Sequence, residues 1–204
     1  MWPLADVRDC YMGKFDEKGA TPEGVFWNSV SAQETRFEQL VRVLNKSEHF
    51  SVIDYGCGYG ALISYLEKTG FSCDYIGFDF SENMLERAIA LYSDRKQCKF
   101  SSAKSGLRAS DYVVASGIFN LKLDVPKEIW IKHTLDTLHH FNSLAKKGFS
   151  FNMLTVYSDA DRMRQELFYA DPCFFFDYCK KNFSRNVALL HDYEIYDFTL
   201  LVRK

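Results

Sequence analysis

The chain has 204 residues, 47% of them apolar, and 25 Lys and Arg against 27 Asp and Glu give a formal net charge of −2. That length makes one domain with a continuous core the default, and no run approaches the roughly 20 apolar residues of a membrane-spanning helix. Enzymes of nucleic acids hold phosphates on a basic surface. No such stripe is visible, because Lys146-Lys147 and Lys180-Lys181 each lie near a predicted helix end where solvated lysines are ordinary, so neither a nucleic-acid nor a membrane partner is expected.

The first residues, Met1-Trp-Pro-Leu-Ala-Asp, lack a basic stretch followed by an apolar one, and a cytoplasmic location is expected. Residues 1–30 contain Pro3, Gly13, Gly19, Pro22 and Gly24 without sustained periodicity and read as an irregular arm. A helix is predicted from Ser31, with Phe37, Leu40, Val41 and Leu44 on one face; the arm and this helix, residues 1–45, form a lid on a single 1–204 domain.

Residues 51–55 are predicted as a strand, and the sequence after it is the most informative in the chain. Val52-Ile-Asp54-Tyr-Gly56-Cys-Gly58-Tyr-Gly60-Ala-Leu62 ends an apolar strand in a carboxylate, follows it with three alternating glycines and opens a helix. Such glycines let the main chain turn tightly and lie against a ligand. A dinucleotide would place its pyrophosphate over this loop, where Asp54 would oppose it. S-adenosylmethionine (SAM) has no phosphate and carries a sulfonium and an ammonium, which suit an acidic strand end. The alternative is a NAD(P) domain with Ala61 as its third small residue.

A helix at 60–69 and a strand at 74–79 follow. Asp79 at that strand's tip lies roughly 20 residues past the loop, the distance at which such an acid meets ribose hydroxyls. Ser81 is the expected N-cap of a helix at 81–93, and Phe80 a candidate stack for adenine. Strands near 97–101 and 111–116, a helix at 127–146 and a strand at 148–156 continue the alternation, which predicts a parallel sheet with helices on both faces. The link at 103–110 is too short for a full helix. Val187 to His191 and Tyr196 to Val202 read as a closing hairpin.

Asp54-Tyr-Gly56-Cys-Gly58-Tyr-Gly60 and Asp79 resemble the first two motifs of class I SAM-dependent methyltransferases. Thr21 to Asn28, Gln33 to Phe37, Tyr169-Ala-Asp-Pro172, and Phe183-Ser-Arg to His191-Asp-Tyr193 resemble a group of compact bacterial methyltransferases of unassigned substrate. The resemblance covers most of the chain. It implies a Rossmann-like seven-stranded, mostly parallel α/β sheet in the order 3-2-1-4-5-7-6 with an antiparallel C-terminal hairpin, binding SAM and releasing S-adenosylhomocysteine (SAH).

In an open α/β sheet the ligand collects at the carboxyl ends of the strands. Cofactor contacts are therefore expected from Asp54, Gly56, Gly58, Gly60, Asp79, Phe80 and Ser116. From the lid come Trp27 and Gln33, with Arg36 pairing the SAM carboxylate. Strand four lacks the prolines of DNA amino-methyltransferases, which leaves Phe119 and Asn120 as walls near the transferring methyl. His191, beside Asp192, is the candidate base, and Tyr169 a hydrogen-bonding contact to the acceptor. Asp159 and Asp161 read as first-turn acids, and no metal site is expected. The expected reaction is methyl transfer to a small polar metabolite at oxygen. A protein or RNA methyltransferase, or a non-catalytic SAM-binding partner subunit, are the alternatives; the sequence leaves the oligomeric state open.

Overall fold

The computed structural model describes residues 4–204. Seven strands form one sheet: β1 (Phe50–Tyr55), β2 (Cys73–Phe78), β3 (Cys98–Ser101), β4 (Ser110–Ala115), β5 (Ala145–Leu154), β6 (Asn186–Leu190) and β7 (Asp197–Arg203), in the order β3-β2-β1-β4-β5-β7-β6. Pairs β1–β2, β1–β4, β2–β3 and β4–β5 are parallel, and β7 runs antiparallel to both β5 and β6. The predicted topology is the observed one. Because β2 and β4 flank β1 on opposite sides, the order of strands reverses between β1 and β4, and a crevice opens beyond their carboxyl ends.

Helices cover both faces. On one, α2 (Val30–Leu40), α3 (Ala61–Lys68) and α4 (Glu82–Tyr92) bury Phe37, Leu40, Leu62, Leu66 and Leu85 against Val52, Tyr75 and Val114. On the other, α5 (Lys127–Leu144) and α6 (Pro172–Asn182) pack Trp130, Phe141 and Phe175 on Phe149, Phe151 and Phe198. The starts follow local rules. Ser29, Ser81 and Asp171 accept backbone N–H bonds at the heads of α2, α4 and α6, and Pro172 opens α6 where no N–H donor is needed.

The arm departs from expectation. Leu4–Lys18 is a helix, α1, and not an irregular stretch. Val7, Tyr11 and Phe15 recur every four residues, and Val7 joins the cluster that holds Tyr55, Phe78 and Leu107. Between β3 and β4 the chain makes only the short 3-10 turn Lys104–Gly106, as the short link implied, and Leu107 after it shares a buried cluster with Val7.

One buried network ties the lid to the far side of the sheet. The Arg36 guanidinium donates to both carboxylate oxygens of Asp197, from Nε at 3.2 Å and Nη2 at 2.5 Å, and its Nη1 donates to the Ala32 carbonyl at 2.7 Å. Asn152 Nδ2 donates to Asp197 Oδ1 at 2.7 Å, and Asn152 Oδ1 accepts the Gly117 N–H at 2.9 Å. Trp27 lies on the guanidinium at 4.1 Å. Gly117 has φ +71°, and a Cβ there would stand 2.4 Å from the Trp27 ring, so glycine is required on both counts.

Arg36 is therefore spent on Asp197, and its expected pairing with the SAM carboxylate is corrected. Removing one partner of a buried pair strands the other charge at a cost of about 3–5 kcal/mol, whereas replacing both by apolar groups is far milder. Asp197→Ala should lose about that much stability in urea unfolding, and Arg36→Met/Asp197→Leu should recover more than half of the loss. A single variant as stable as the parent would show the pair to be inert.

Candidate active site

The crevice beyond β1, β2 and β4 is a cleft whose floor is the glycine loop. Gly56, Gly58 and Gly60 all have positive φ, at +82°, +53° and +82°. At Gly56 the reason is also spatial, since a Cβ would meet Ile118 Cγ2 at 2.3 Å. Gly56 and Cys57 donate their N–H groups to the Phe78 carbonyl at 2.7 and 3.0 Å, which locks the loop onto the end of β2.

Two carboxylates meet on this floor. Asp54 is buried and accepts from the Tyr75 hydroxyl at 2.5 Å, while Asp79 accepts from the Gly58 N–H at 2.8 Å and the Ser81 N–H at 2.9 Å. Burial pushes the Asp54 carboxyl up to about 7; the Tyr75 bond opposes this and the neighbouring Asp79 charge adds to it. Burial also raises Asp79, against the pull of its backbone N–H donors. Neither acid has an ion-pair partner among the described residues. This end of the cleft is a place for a cation and for hydroxyl donors.

Of the residues expected here, Trp27, Gln33, Asp54, Gly56, Gly58, Asp79, Phe80 and Ser116 line the cleft, and Gly60 supports the loop as the left-handed N-cap of α3. The Tyr59 hydroxyl donates to Gln33 Oε1 at 3.3 Å. Tyr55 Oη and Ser116 Oγ are buried without a hydrogen-bond partner among the described residues, although buried polar atoms are nearly always paired. Such orphaned atoms beside two aspartates and a loop with no room for a Cβ fit a polar, hydroxyl-bearing ligand.

The expected chemistry-bearing residues go elsewhere. His191 is exposed at the end of β6, the outermost strand, against Tyr157 and Phe198 and away from the cleft. Tyr169 accepts the Arg164 N–H at 3.0 Å and holds its own loop together. Asn120 is spent as a brace: its Oδ1 accepts the Leu154 N–H at 3.1 Å and its carbonyl the Phe168 N–H at 2.8 Å. Phe119 is core. None of these four lines the cleft, so their expected places around the acceptor are corrected. Among the described residues no group of three or more His, Cys, Asp or Glu converges to hold a metal.

Sequence reasoning passes over Tyr11 and Val7 from α1, Lys104 and Thr137, and reads His133 as a structural or solvent-facing helix residue; all five reach the cleft. His133 and Thr137 are one helical turn apart on α5, a spacing that could have flagged them. Burial and the nearby Lys104 charge push the His133 imidazole down to about 4, with Asp136 opposing weakly, so the ring is neutral at physiological pH.

The Asp54 carboxyl gives a stability signature. Its folded pKa, about 7, lies above the ordinary 3.8, so its protonated form favours the fold, fully below the ordinary value and progressively less as pH rises through about 7. The ligand-free protein should therefore melt lower at pH 8 than at pH 5, and Asp54→Asn should flatten that decline and raise the melting temperature at pH 8. Equal slopes in parent and variant would mean that Asp54 is ionised throughout.

Known proteins share both sequence and architecture with this chain. Residues 29–200 match a family model described as a methyltransferase domain. Over 164 residues, 80% of this chain and 99% of the relative, it is 49% identical to a Mycobacterium tuberculosis (strain ATCC 25618 / H37Rv) protein named "Putative methyltransferase Rv1506c". The crystal structure of Burkholderia thailandensis 1,6-didemethyltoxoflavin-N1-methyltransferase, with that substrate and SAH bound, superposes with a TM-score of 0.68 at 14% identity, over 98% of this chain and 88% of the other. The DhpI–SAH complex gives 0.65 at 15% identity over 96% and 94%. The methyltransferase domain of bacterial CtHen1-C gives 0.59 at 18% identity over 84% and 97%. At these identities the structural likeness is one of fold, and the family rests on the sequence matches. Among the described residues no helix is long and apolar enough to cross a membrane. With the glycine loop, the paired acids and the family match together, the chain belongs to the class I SAM-dependent methyltransferases.

Proposed function

We propose that this enzyme transfers the methyl group of SAM to an oxygen atom of a small polar metabolite, with no nucleic-acid partner, and that His133 is its base. The observation that carries the proposal is the His133 imidazole in the wall of the same cleft as the glycine loop. A hydroxyl acceptor must lose its proton to become a good nucleophile, and a positioned base contributes roughly 10²–10⁴-fold to such a step.

The cleft residues suit the cofactor. Asp54 would hold the ammonium with Gln33 beside it, Asp79 has lone pairs left for ribose hydroxyls after its two backbone bonds, and Phe80 with Met84 would flank the adenine. When bound, SAM supplies an activated methyl group on a sulfonium. The protein's part is to aim the acceptor oxygen in line with that bond, exclude water and take one proton at the His133 ring; positioning alone is worth roughly 7–11 kcal/mol. Val7 and Tyr11 of α1, with Trp27, supply the water-excluding wall.

Calorimetric titration with SAH tests the cofactor site. Asp79→Ala should lose binding at least tenfold while remaining folded. In the parent protein, affinity should be about tenfold weaker at pH 6 than at pH 8, because an Asp54 carboxyl near 7 must give up its proton to meet the ammonium. Transfer of labelled methyl from SAM into a metabolite extract tests the rest: His133→Gln should slow it by about 10²–10⁴ with SAH affinity unchanged. Label appearing in RNA or protein instead, or full activity of His133→Gln, would refute the proposal.

A further inference from the structure

We infer that Tyr75 is a positioning residue for the cofactor: its hydroxyl holds the Asp54 carboxylate in one orientation, and so makes the site select adenosyl ligands that carry an α-ammonium. The inference rests on the proposed meeting of Asp54 with that ammonium and adds the residue that makes the meeting selective. It comes from a buried phenol that acts on the cleft without lining it.

Tyr75 is 1% exposed and stands on β2 opposite Val52, two residues before Gly77, which pairs with Asp54. Side chains two apart on a strand share a face. Directly beside Asp54 the neighbouring strand therefore carries no side chain, and a Cβ on Gly77 would stand 2.9 Å from Cys57 Sγ and 2.7 Å from Phe100 Cδ1. The acid's partner on β2 is the residue two places earlier. The Phe100 ring packs edge-on against Tyr75, with centroids 6.1 Å apart, and the Tyr75 hydroxyl donates to Asp54 Oδ2 at 2.5 Å.

Burial and the Asp54 charge both raise the Tyr75 phenol, so it keeps its proton and remains a donor. Oδ2 is then occupied. No other hydrogen bond reaches Asp54 among the described residues, and a planar group held at one oxygen has its second oxygen fixed as well. Because Asp54 lines the cleft, Oδ1 is the oxygen left for a ligand.

The bond also favours the ionised carboxyl. The titratable groups around Asp54 are Tyr75 of β2, Asp79 just beyond that strand and Cys57 of the glycine loop, whose thiol burial keeps protonated. Tyr11, Lys104 and His133 line the same cleft from α1, the β3–β4 turn and α5, and stay unchanged in every variant below. Burial and the Asp79 charge raise Asp54 to about 7, and the Tyr75 bond opposes them. Without the phenol the carboxyl titrates higher still, so a ligand that needs it ionised binds well only at higher pH. A ligand with no ammonium is indifferent. One such ligand is 5′-methylthioadenosine, the same nucleoside sulfide without the amino-acid tail.

The test titrates the full chain with SAH and with methylthioadenosine by calorimetry. At pH 7, Tyr75→Phe should weaken SAH about tenfold, the low end of what a hydrogen bond to a charged group is worth, and leave methylthioadenosine within about twofold of the parent. Its SAH affinity should also level off at a higher pH than the parent's. In Asp54→Asn, which has no charge to position, adding Tyr75→Phe should change SAH affinity by about twofold at most, and this pair decides the matter should Tyr75→Phe alone fold poorly. Parent-like SAH affinity in Tyr75→Phe, an equal loss for both ligands, or a further loss of about tenfold on adding Tyr75→Phe to Asp54→Asn would overturn the inference. If instead the parent binds both ligands alike, or Asp54→Asn binds SAH as the parent does, the reading of Asp54 itself falls, so the two failures are distinguishable.

Discussion

The pairing of Arg36 with Asp197 is the constraint on which the rest of the molecule depends. It joins α2, beside the glycine loop, to β7, which the chain reaches 161 residues later. Water cannot compensate either charge there, so both must be present and in register, and Asn152 completes the set by donating to Asp197 while accepting from Gly117. One hydrogen-bonded chain thus fixes the lid helix, two central strands and the turn after β4. Trp27, flat on the guanidinium and against Gly117, takes its orientation from the same network.

The cleft illustrates the opposite economy of charge. Where the network neutralises itself, Asp54 and Asp79 are brought out of water with hydrogen bonds and no counter-ion among the described residues. An unpaired buried carboxylate is costly and raises its own pKa in response. That cost in the ligand-free protein becomes selectivity when a cation arrives, since whatever relieves it gains the same free energy. A dinucleotide pyrophosphate would deepen it instead.

Much of this was legible in the sequence because it is local. Alternation of strand and helix signals and the hairpin at the C-terminus give a parallel sheet with an antiparallel end, the family resemblance implies its strand order, and Asp54 and Asp79 lie within 25 residues of each other. What depends on distant pairing was not legible. A guanidinium on a lid helix looks available until Asp197 is found beside it, and His191 with its acidic neighbour looks catalytic until β6 proves to be the edge strand. His133 was hidden in the other way: its helix is polar on the face it shows to the cleft, which in sequence cannot be told from a face shown to solvent. The helical content of α1 was masked by Gly13 and the glycines and prolines after it, which outweighed the four-residue recurrence of Val7, Tyr11 and Phe15.

The abbreviated link between β3 and β4 has a consequence for synthesis. Because Val7 of α1 shares a buried cluster with Leu107, it must wait for a partner made 100 residues later, roughly 5–20 s at ordinary elongation rates. During that interval Tyr11 can pack on Phe26 and Phe15 on Tyr59, but Val7 lacks its cluster, and α1 alone is about as long as an isolated helix must be to hold together in water at all. The Val7 end of α1 therefore stays open to solvent until the link before β4 has been made.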